Sequence, residues 1–293
     1  MPAHAAVKHE LLVRYLDAWT PAVLHGHRRV TYLECPAGES AVAAARVFGE
    51  FADVITGRTL VMLLGPSPPA QLLRRVEEVL AEYGRPDGLT VQPYDGSVVP
   101  ALRQAGAGRM PIFALLGGLV DPDELGAVAA NRSTEILATV PPSAPTAALV
   151  AAVRKAGLDQ TAWVELVDRD GVTESLIFAT SAEKALEKFK DELWALDEYA
   201  GIRYRDPSDP EQTLLDISLQ PNLRPLRRAL LARVSQDGGG SLADLRKWVV
   251  HATIYRAVDA TKAVQALVAA GEVERSPASG RLSPSTVIRP VSR

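Results

Sequence analysis

The feature that most restricts the fold of this chain is a repeated alternation of short apolar runs with helical segments, beginning at Val30. Residues 30–51, VTYLECPAGESAVAAARVFGEF, read as a strand, a turn through Ala37 and Gly38, and an Ala-rich helix. Residues 59–64 form a continuous apolar run, the mark of a strand buried on both faces. The turn that follows, Gly65-Pro66-Ser67-Pro68-Pro69, opens a helix over 70–83, since proline is accepted in a first turn where the amide lacks a partner anyway. Further strands are expected at 89–93, 112–116 and 135–140, with a short helix through Leu102 and another over 146–156. This spacing predicts an α/β fold with a mainly parallel, doubly wound sheet, whose ligands bind beyond the carboxyl ends of the strands. Residues 161–167 and 174–179, joined by Asp168-Arg169-Asp170-Gly171, predict a hairpin that adds antiparallel strands at the sheet's edge. Leu11, Leu12, Tyr15, Leu16 and Trp19 recur at three- and four-residue spacing, so 8–20 is expected to be an amphipathic helix ending near Pro21 and capping the sheet.

Length and composition narrow the class. A chain of 293 residues, 47% apolar and 23% charged, suits one large soluble domain and a smaller one. It holds no apolar run of membrane-spanning length, and MPAHAAVKHELL lacks the layout of a secretory signal, so a cytoplasmic location is expected. The single Cys35 cannot form an internal disulfide, and no base lies near it in sequence to activate it as a nucleophile. His4, His9, His25, His27 and His251 show no ligand spacing, so no metal site is expected. His25-Gly26-His27 reads as a turn before the first strand.

Charge divides the chain unevenly. From Asn222 onward there are 12 Lys and Arg against 5 Asp and Glu, and the preceding residues carry 20 against 30. A basic module therefore follows an acidic one, which raises either a polyanionic partner or mutual docking of the two parts. Asp206-Pro207-Ser208-Asp209-Pro210 reads as a linker, dividing the chain into 1–210 and 211–293. In the second part, helices are expected at 223–234, at 242–250 after a Ser241 cap, and at 253–270 before Gly271. Residues 272–275 and 286–289 can pair as a hairpin. Three helices and a hairpin are the winged-helix layout, a helix-turn-helix relative that can place its last helix in a major groove. Arg246, Lys247, Arg256 and Lys262, with Arg275 and Arg281 on the wing, are the candidate phosphate contacts. Thr253 and Tyr255, at the start of the last helix, are the candidate base contacts.

Four stretches carry a resemblance that spans nearly the whole chain: KHELLVRYLDAW, TYLECPAG, SLIFATSAEKALEKFKDELWALD and GSLADLRKWVVHATIYRAVDATKAVQALVAAGEVE. The third is the most specific, through LIFAT followed by a charged helix ending Lys190-Asp191-Glu192-Leu193-Trp194. Together they resemble the three-Cys-motif partner family, bacterial proteins with a Rossmann-like methyltransferase domain and a winged-helix tail. The resemblance implies a fold similar to S-adenosylmethionine-dependent methyltransferases and association with a cysteine-motif, radical-enzyme-like companion protein. The chain departs from the family where chemistry would occur. Glu34 replaces an Asp at the end of the first strand, Glu39 and Ser40 follow Gly38 in place of a second glycine, and Leu115-Leu116-Gly117-Gly118 replaces an Asp-Pro-Phe-Gly.

A methyl donor of this kind needs close backbone approach at its amino-acid tail, an acid for its ribose and a polar group for its adenine. Gly38 can allow the approach, Glu34 can face the ammonium, Asp95 follows the third strand on the adenine side, and Gly117 ends the fourth. No acid ends the second strand, and Glu39 is expected to bring negative charge toward the donor's carboxylate. The expectation is a degenerate, non-catalytic methyltransferase-type protein that acts through a protein partner or nucleic acid, with no catalytic residue assigned. The alternatives are an active S-adenosylmethionine-dependent methyltransferase and a ligand-responsive winged-helix DNA-binding regulator.

Overall fold

The computed structural model describes residues 3–118, 121–131, 133–196 and 201–291. Helix α1 (Ala3–Gly26) leads into β1 (Arg29–Cys35), α2 (Glu39–Glu50), the single turn α3 (Ala52–Ile55), β2 (Thr59–Leu64) and α4 (Ala70–Glu82). Then come β3 (Leu89–Pro93), α5 (Val98–Gln104), β4 (Ile112–Gly117), α6 (Pro122–Ala129), β5 (Thr134–Val140) and α7 (Thr146–Lys155). A hairpin of β6 (Gln160–Val167) and β7 (Thr173–Thr180) follows, then α8 (Glu183–Trp194) and two short strands, β8 (Arg203–Arg205) and β9 (Leu214–Asp216). The remainder is α9 (Arg224–Asp237), β10 (Gly240–Ser241), α10 (Leu242–Ala252), α11 (Ala257–Ala269), β11 (Val273–Ser276) and β12 (Val287–Pro290).

The large sheet has the order β3-β2-β1-β4-β5-β7-β6-β8-β9. Strands β1 to β5 pair in parallel, and β7 lies antiparallel between β5 and β6. This is a Rossmann-like, doubly wound sheet: its order reverses direction between β1 and β4, so that is its topological switch point. The central strands β1, β2 and β4 are buried along most of their length, β2 as its unbroken apolar run requires, while β3 at the edge is fully buried only at Leu89. One face is covered by α1, α2, α4 and α8, the other by α5, α6 and α7.

Helix α1 does not stop at Pro21. The Thr20 hydroxyl turns back to the Leu16 carbonyl at 2.7 Å, and the last turn is anchored by buried Leu24. His25 and Gly26 therefore finish the helix, where a turn was expected. The hairpin is also not the sheet's edge. Strands β8 and β9 extend the sheet beyond β6, helped by Arg205, whose guanidinium meets Glu165 at 2.5 Å.

The expected linker at 206–210 is the turn between β8 and β9, so a division after residue 210 would fall between two paired strands. Asp206 is buried because its carboxylate accepts the Ile254 amide at 2.9 Å and the Ser208 amide at 2.8 Å. The helices α9, α10 and α11 and the small sheet β10-β12-β11 are packed onto this region. At their junction with α8 the Lys190 ammonium donates to the carbonyls of Val250 (2.5 Å), Thr253 and Tyr255 (3.2 Å). Trp194 donates its indole N–H to the Ile254 carbonyl at 3.0 Å. The C-terminal helices thus share one continuous apolar core with the α1–α8 side of the sheet.

Candidate functional site

A cavity of about 340 Å³ opens at the switch point, beyond the carboxyl ends of β1, β4 and β5. Its base includes Glu34 and Pro36 after β1, Gly38 and Ser40 at the start of α2, and Gly117 and Gly118 after β4. Leu11 and Leu12 of α1 face Leu137 and Leu176 across it. Lys8 and Glu174 close one side with an ion pair at 2.7 Å. The structure therefore brings three of the sequence-selected residues, Glu34, Gly38 and Gly117, to one cavity. Asp95 does not line it: that carboxylate is exposed and accepts the Ser67 hydroxyl at 2.7 Å.

Glu34 has both oxygens engaged within the chain. Oε2 accepts the Tyr32 hydroxyl at 2.6 Å, and Oε1 accepts the Gly38 amide at 2.7 Å. With 2% of its surface exposed, burial pushes its pKa up to about 7 against the lowering effect of those two donors. Gly38 is extended rather than left-handed, and a Cβ there would lie 3.9 Å from Glu34 Oε1, so nothing in the backbone demands glycine. Glu39 turns away from the cavity toward Arg75, whose guanidinium holds its carboxyl below the usual range. The expected repulsion between Glu39 and a cofactor carboxylate therefore has no basis in this geometry.

On the other side of β1, where the turns after β2 and β3 meet, the groove is filled. The Tyr94 ring lies directly on Gly65, so close that a Cβ on Gly65 would stand 2.6 Å from the ring. Backbone bonds from Ser67 N–H to the Tyr94 carbonyl and from Tyr94 N–H to the Leu64 carbonyl tie the two turns together. The Tyr94 hydroxyl is buried without a well-formed hydrogen bond, and burial, with the neighbouring Cys35 thiol, raises its pKa. Cys35 itself is half-buried, and burial pushes its thiol up, the opposite of nucleophile activation. Among the described residues no group of three or more His, Cys, Asp or Glu side chains is placed to hold a metal ion.

The candidate nucleic-acid contacts separate into two groups. Tyr255 is 1% exposed and donates its hydroxyl to the Asn222 carbonyl at 2.8 Å. Arg256 is buried against Asp259 at 2.8 Å and donates to the Leu219 carbonyl. Thr253 sits in the seam, its hydroxyl donating to the Val249 carbonyl and its own carbonyl accepting Lys190. These residues form the junction before α11, so Tyr255 and Arg256 are not free to reach bases or phosphates. Arg275 folds onto its own hairpin, donating to the carbonyls of Pro277, Ser279 and Gly280. Lys247, Lys262 and Arg281 are exposed and Arg246 half-exposed.

Lys8, Leu11, Leu12, Thr139, Glu174 and Tyr94 complete these surroundings but were not selected from sequence. The helical spacing in α1 marks an apolar face, yet nothing local says that its first turns lie over the carboxyl ends of the strands. Tyr94 stands directly beside Asp95, and nothing in the local sequence says that its ring turns back over Gly65.

No family model matches the chain, and no curated protein matches it in sequence. Among solved structures, EvdMO1 aligns over 60% of this chain and 42% of its own, at 19% identity and a TM-score of 0.40. The N-terminal domain of human METTL16 in complex with SAH aligns over 58% of this chain and 67% of its own, at 8% identity and 0.38. The B. subtilis M1A22 tRNA methyltransferase TrmK aligns over 58% and 65%, at 11% identity and 0.34. The chain spans less than half the length of the first of these. At such scores the likenesses assign no role to any residue of this chain. No helix of the described residues is long and apolar enough to cross a membrane.

Proposed function

We propose that this chain is a non-catalytic, methyltransferase-type protein that acts through a protein partner. The sheet order and the antiparallel β7 support the methyltransferase-type reading of the first part. The helix and strand order α9-β10-α10-α11-β11-β12 supports a winged-helix reading of the second. One observation carries the loss of catalysis: the positions a nucleoside cofactor would need are engaged by the chain itself. Tyr94 covers Gly65 at the end of β2, and Glu34 holds the Gly38 amide that would otherwise face a cofactor carboxylate. No acid follows β2 to hold a ribose.

A partner protein is favoured over DNA because the start of α11, the part of a recognition helix that contacts base edges, is built into the seam through Tyr255 and Arg256. The family resemblance nominates a cysteine-motif, radical-enzyme-like companion as that partner. The direct test of lost cofactor binding is calorimetric titration of the full chain with S-adenosylmethionine and S-adenosylhomocysteine. No saturable heat at millimolar ligand is the expected result. Micromolar binding that is lost on Gly38→Asp would overturn the proposal in favour of an active S-adenosylmethionine-dependent methyltransferase.

A further inference from the structure

A second cavity, of about 460 Å³, lies at the opposite end of the sheet, where the parallel strands begin. It is enclosed by α1, by Pro111 and Ser133 just before β4 and β5, and by the segment joining β7 to α8. Glu135, the second residue of β5, lies at its floor. Its Oε2 accepts the Tyr15 hydroxyl at 2.7 Å, and Tyr15 is held in turn by an aromatic cluster with Phe113, Phe178 and Phe189. Burial pushes the Glu135 carboxyl up to about 7, with the Tyr15 bond opposing. Trp19, packed on Phe113 and 6% exposed, lines one wall, and Lys184 and Lys188 of α8 stand exposed at the mouth. Lys188 is engaged with Glu192 at 2.6 Å, so Lys184 is the cation better placed to meet a ligand.

The polarity of this cavity is ordered from floor to mouth: an oriented carboxyl inside, an apolar wall, and positive charge at the opening. A simple organic cation would suit the carboxyl and the wall but not the lysines. A simple anion would suit the lysines but not the floor. A ligand with adjacent N–H donors on a planar ring at one end and negative charge at the other suits all three.

We propose that this cavity binds a free guanine nucleotide. The ring N–H and exocyclic amino group of guanine form a pair of donors that one carboxylate can accept together, whereas adenine presents a ring acceptor on that edge. Trp19, which lines the cavity, offers apolar contact beside the base, and Lys184 meets the phosphate as a point charge. The volume lies in the range of small-molecule sites. The site is independent of the switch-point cavity and of any methyl transfer.

The test is calorimetric titration of the full chain with GMP, AMP and guanosine above pH 7, where the Glu135 carboxyl is ionised. GMP is expected to saturate, with AMP weaker by about tenfold or more, the scale of a lost hydrogen bond to a charged group. Glu135→Gln should abolish the preference for GMP over AMP. Lys184→Glu, at an exposed position that does not endanger folding, should weaken GMP several-fold and leave guanosine unchanged. Absence of GMP binding at millimolar concentration, equal binding of GMP and AMP, or GMP binding insensitive to Lys184→Glu would each overturn the proposal. Addition of S-adenosylhomocysteine should leave the GMP isotherm unchanged, because the two cavities lie at opposite ends of the sheet.

Discussion

Replacing Lys190 by methionine should show whether the C-terminal helices and the sheet unfold as one body. The side chain is 1% exposed, and its ammonium donates to three carbonyls, those of Val250, Thr253 and Tyr255, at the junction of α10 and α11. Methionine has similar length but no donor. Each carbonyl left without a partner costs about 1–3 kcal/mol. Removal of a buried ammonium returns part of that, because its desolvation cost disappears; the carboxylates of Asp206 and Asp259, which attract it, then lose a compensating charge. The net loss expected is about 3–5 kcal/mol, as for breaking other buried charge networks, which is a large share of the ~5–15 kcal/mol that holds a typical domain. Urea unfolding, followed by far-UV circular dichroism and tryptophan fluorescence, should give one transition for both proteins, with the midpoint lowered in the variant. The measurement belongs below pH 7, since burial pulls the Lys190 ammonium down to about 7. Between about 7 and the ordinary lysine value of 10.5 the unfolded chain binds a proton that the folded chain lacks, so wild-type stability from this group rises with pH there, and the variant should lose that slope. A loss below about 1 kcal/mol, smaller than one net hydrogen bond, or an early separate transition of the C-terminal helices, would mean that Lys190 does not bind the two parts into one body.

Three further outcomes are expected. Glu34 binds its proton more tightly folded than unfolded, so its contribution to stability falls as pH rises from about 4.5 to about 7; Glu34→Gln should remove a fall on the order of 3 kcal/mol from pH-dependent melts, leaving the similar slope from Glu135 in place. Gly65→Ala should destabilise by about 1–3 kcal/mol through the Tyr94 ring, and a double-mutant cycle with Tyr94→Ala should recover most of the loss if that contact is the cause. Tyr255→Phe removes only the bond to the Asn222 carbonyl and should cost about 1 kcal/mol in chemical denaturation.

Local pattern was enough to place the parallel strands. The run 59–64 coincides with β2 because an uninterrupted apolar run between turn residues has few other uses, and the segment 89–93 coincides with β3, an edge strand fully buried only at Leu89. Strands β8 and β9 carry no such signal: Arg203, Arg205 and Asp216 interrupt any apolar run, and the strands exist because β6 offers an edge to pair with. Asp206 and Asp209 look like solvated turn residues in sequence, but the first is buried under the Ile254 amide from 48 residues further on. The same contrast holds at the cavity. Glu34, Gly38 and Gly117 could be selected because strand ends are legible, whereas Lys8, Glu174 and Leu176 arrive from α1 and β7 by packing that no local spacing encodes. That Glu34 closes on Gly38 and Tyr94 on Gly65 is likewise a matter of side-chain direction.

Whether the turn after β1 is closed can be read from hydrogen–deuterium exchange at the Gly38 amide, with and without millimolar S-adenosylhomocysteine. In the free chain this amide already donates to Glu34 Oε1 at 2.7 Å. The expected result is slow exchange before ligand is added and no change after it. Fast exchange in the free chain, slowed by S-adenosylhomocysteine, would mean that the turn is open to a cofactor and would contradict a closed, non-catalytic site.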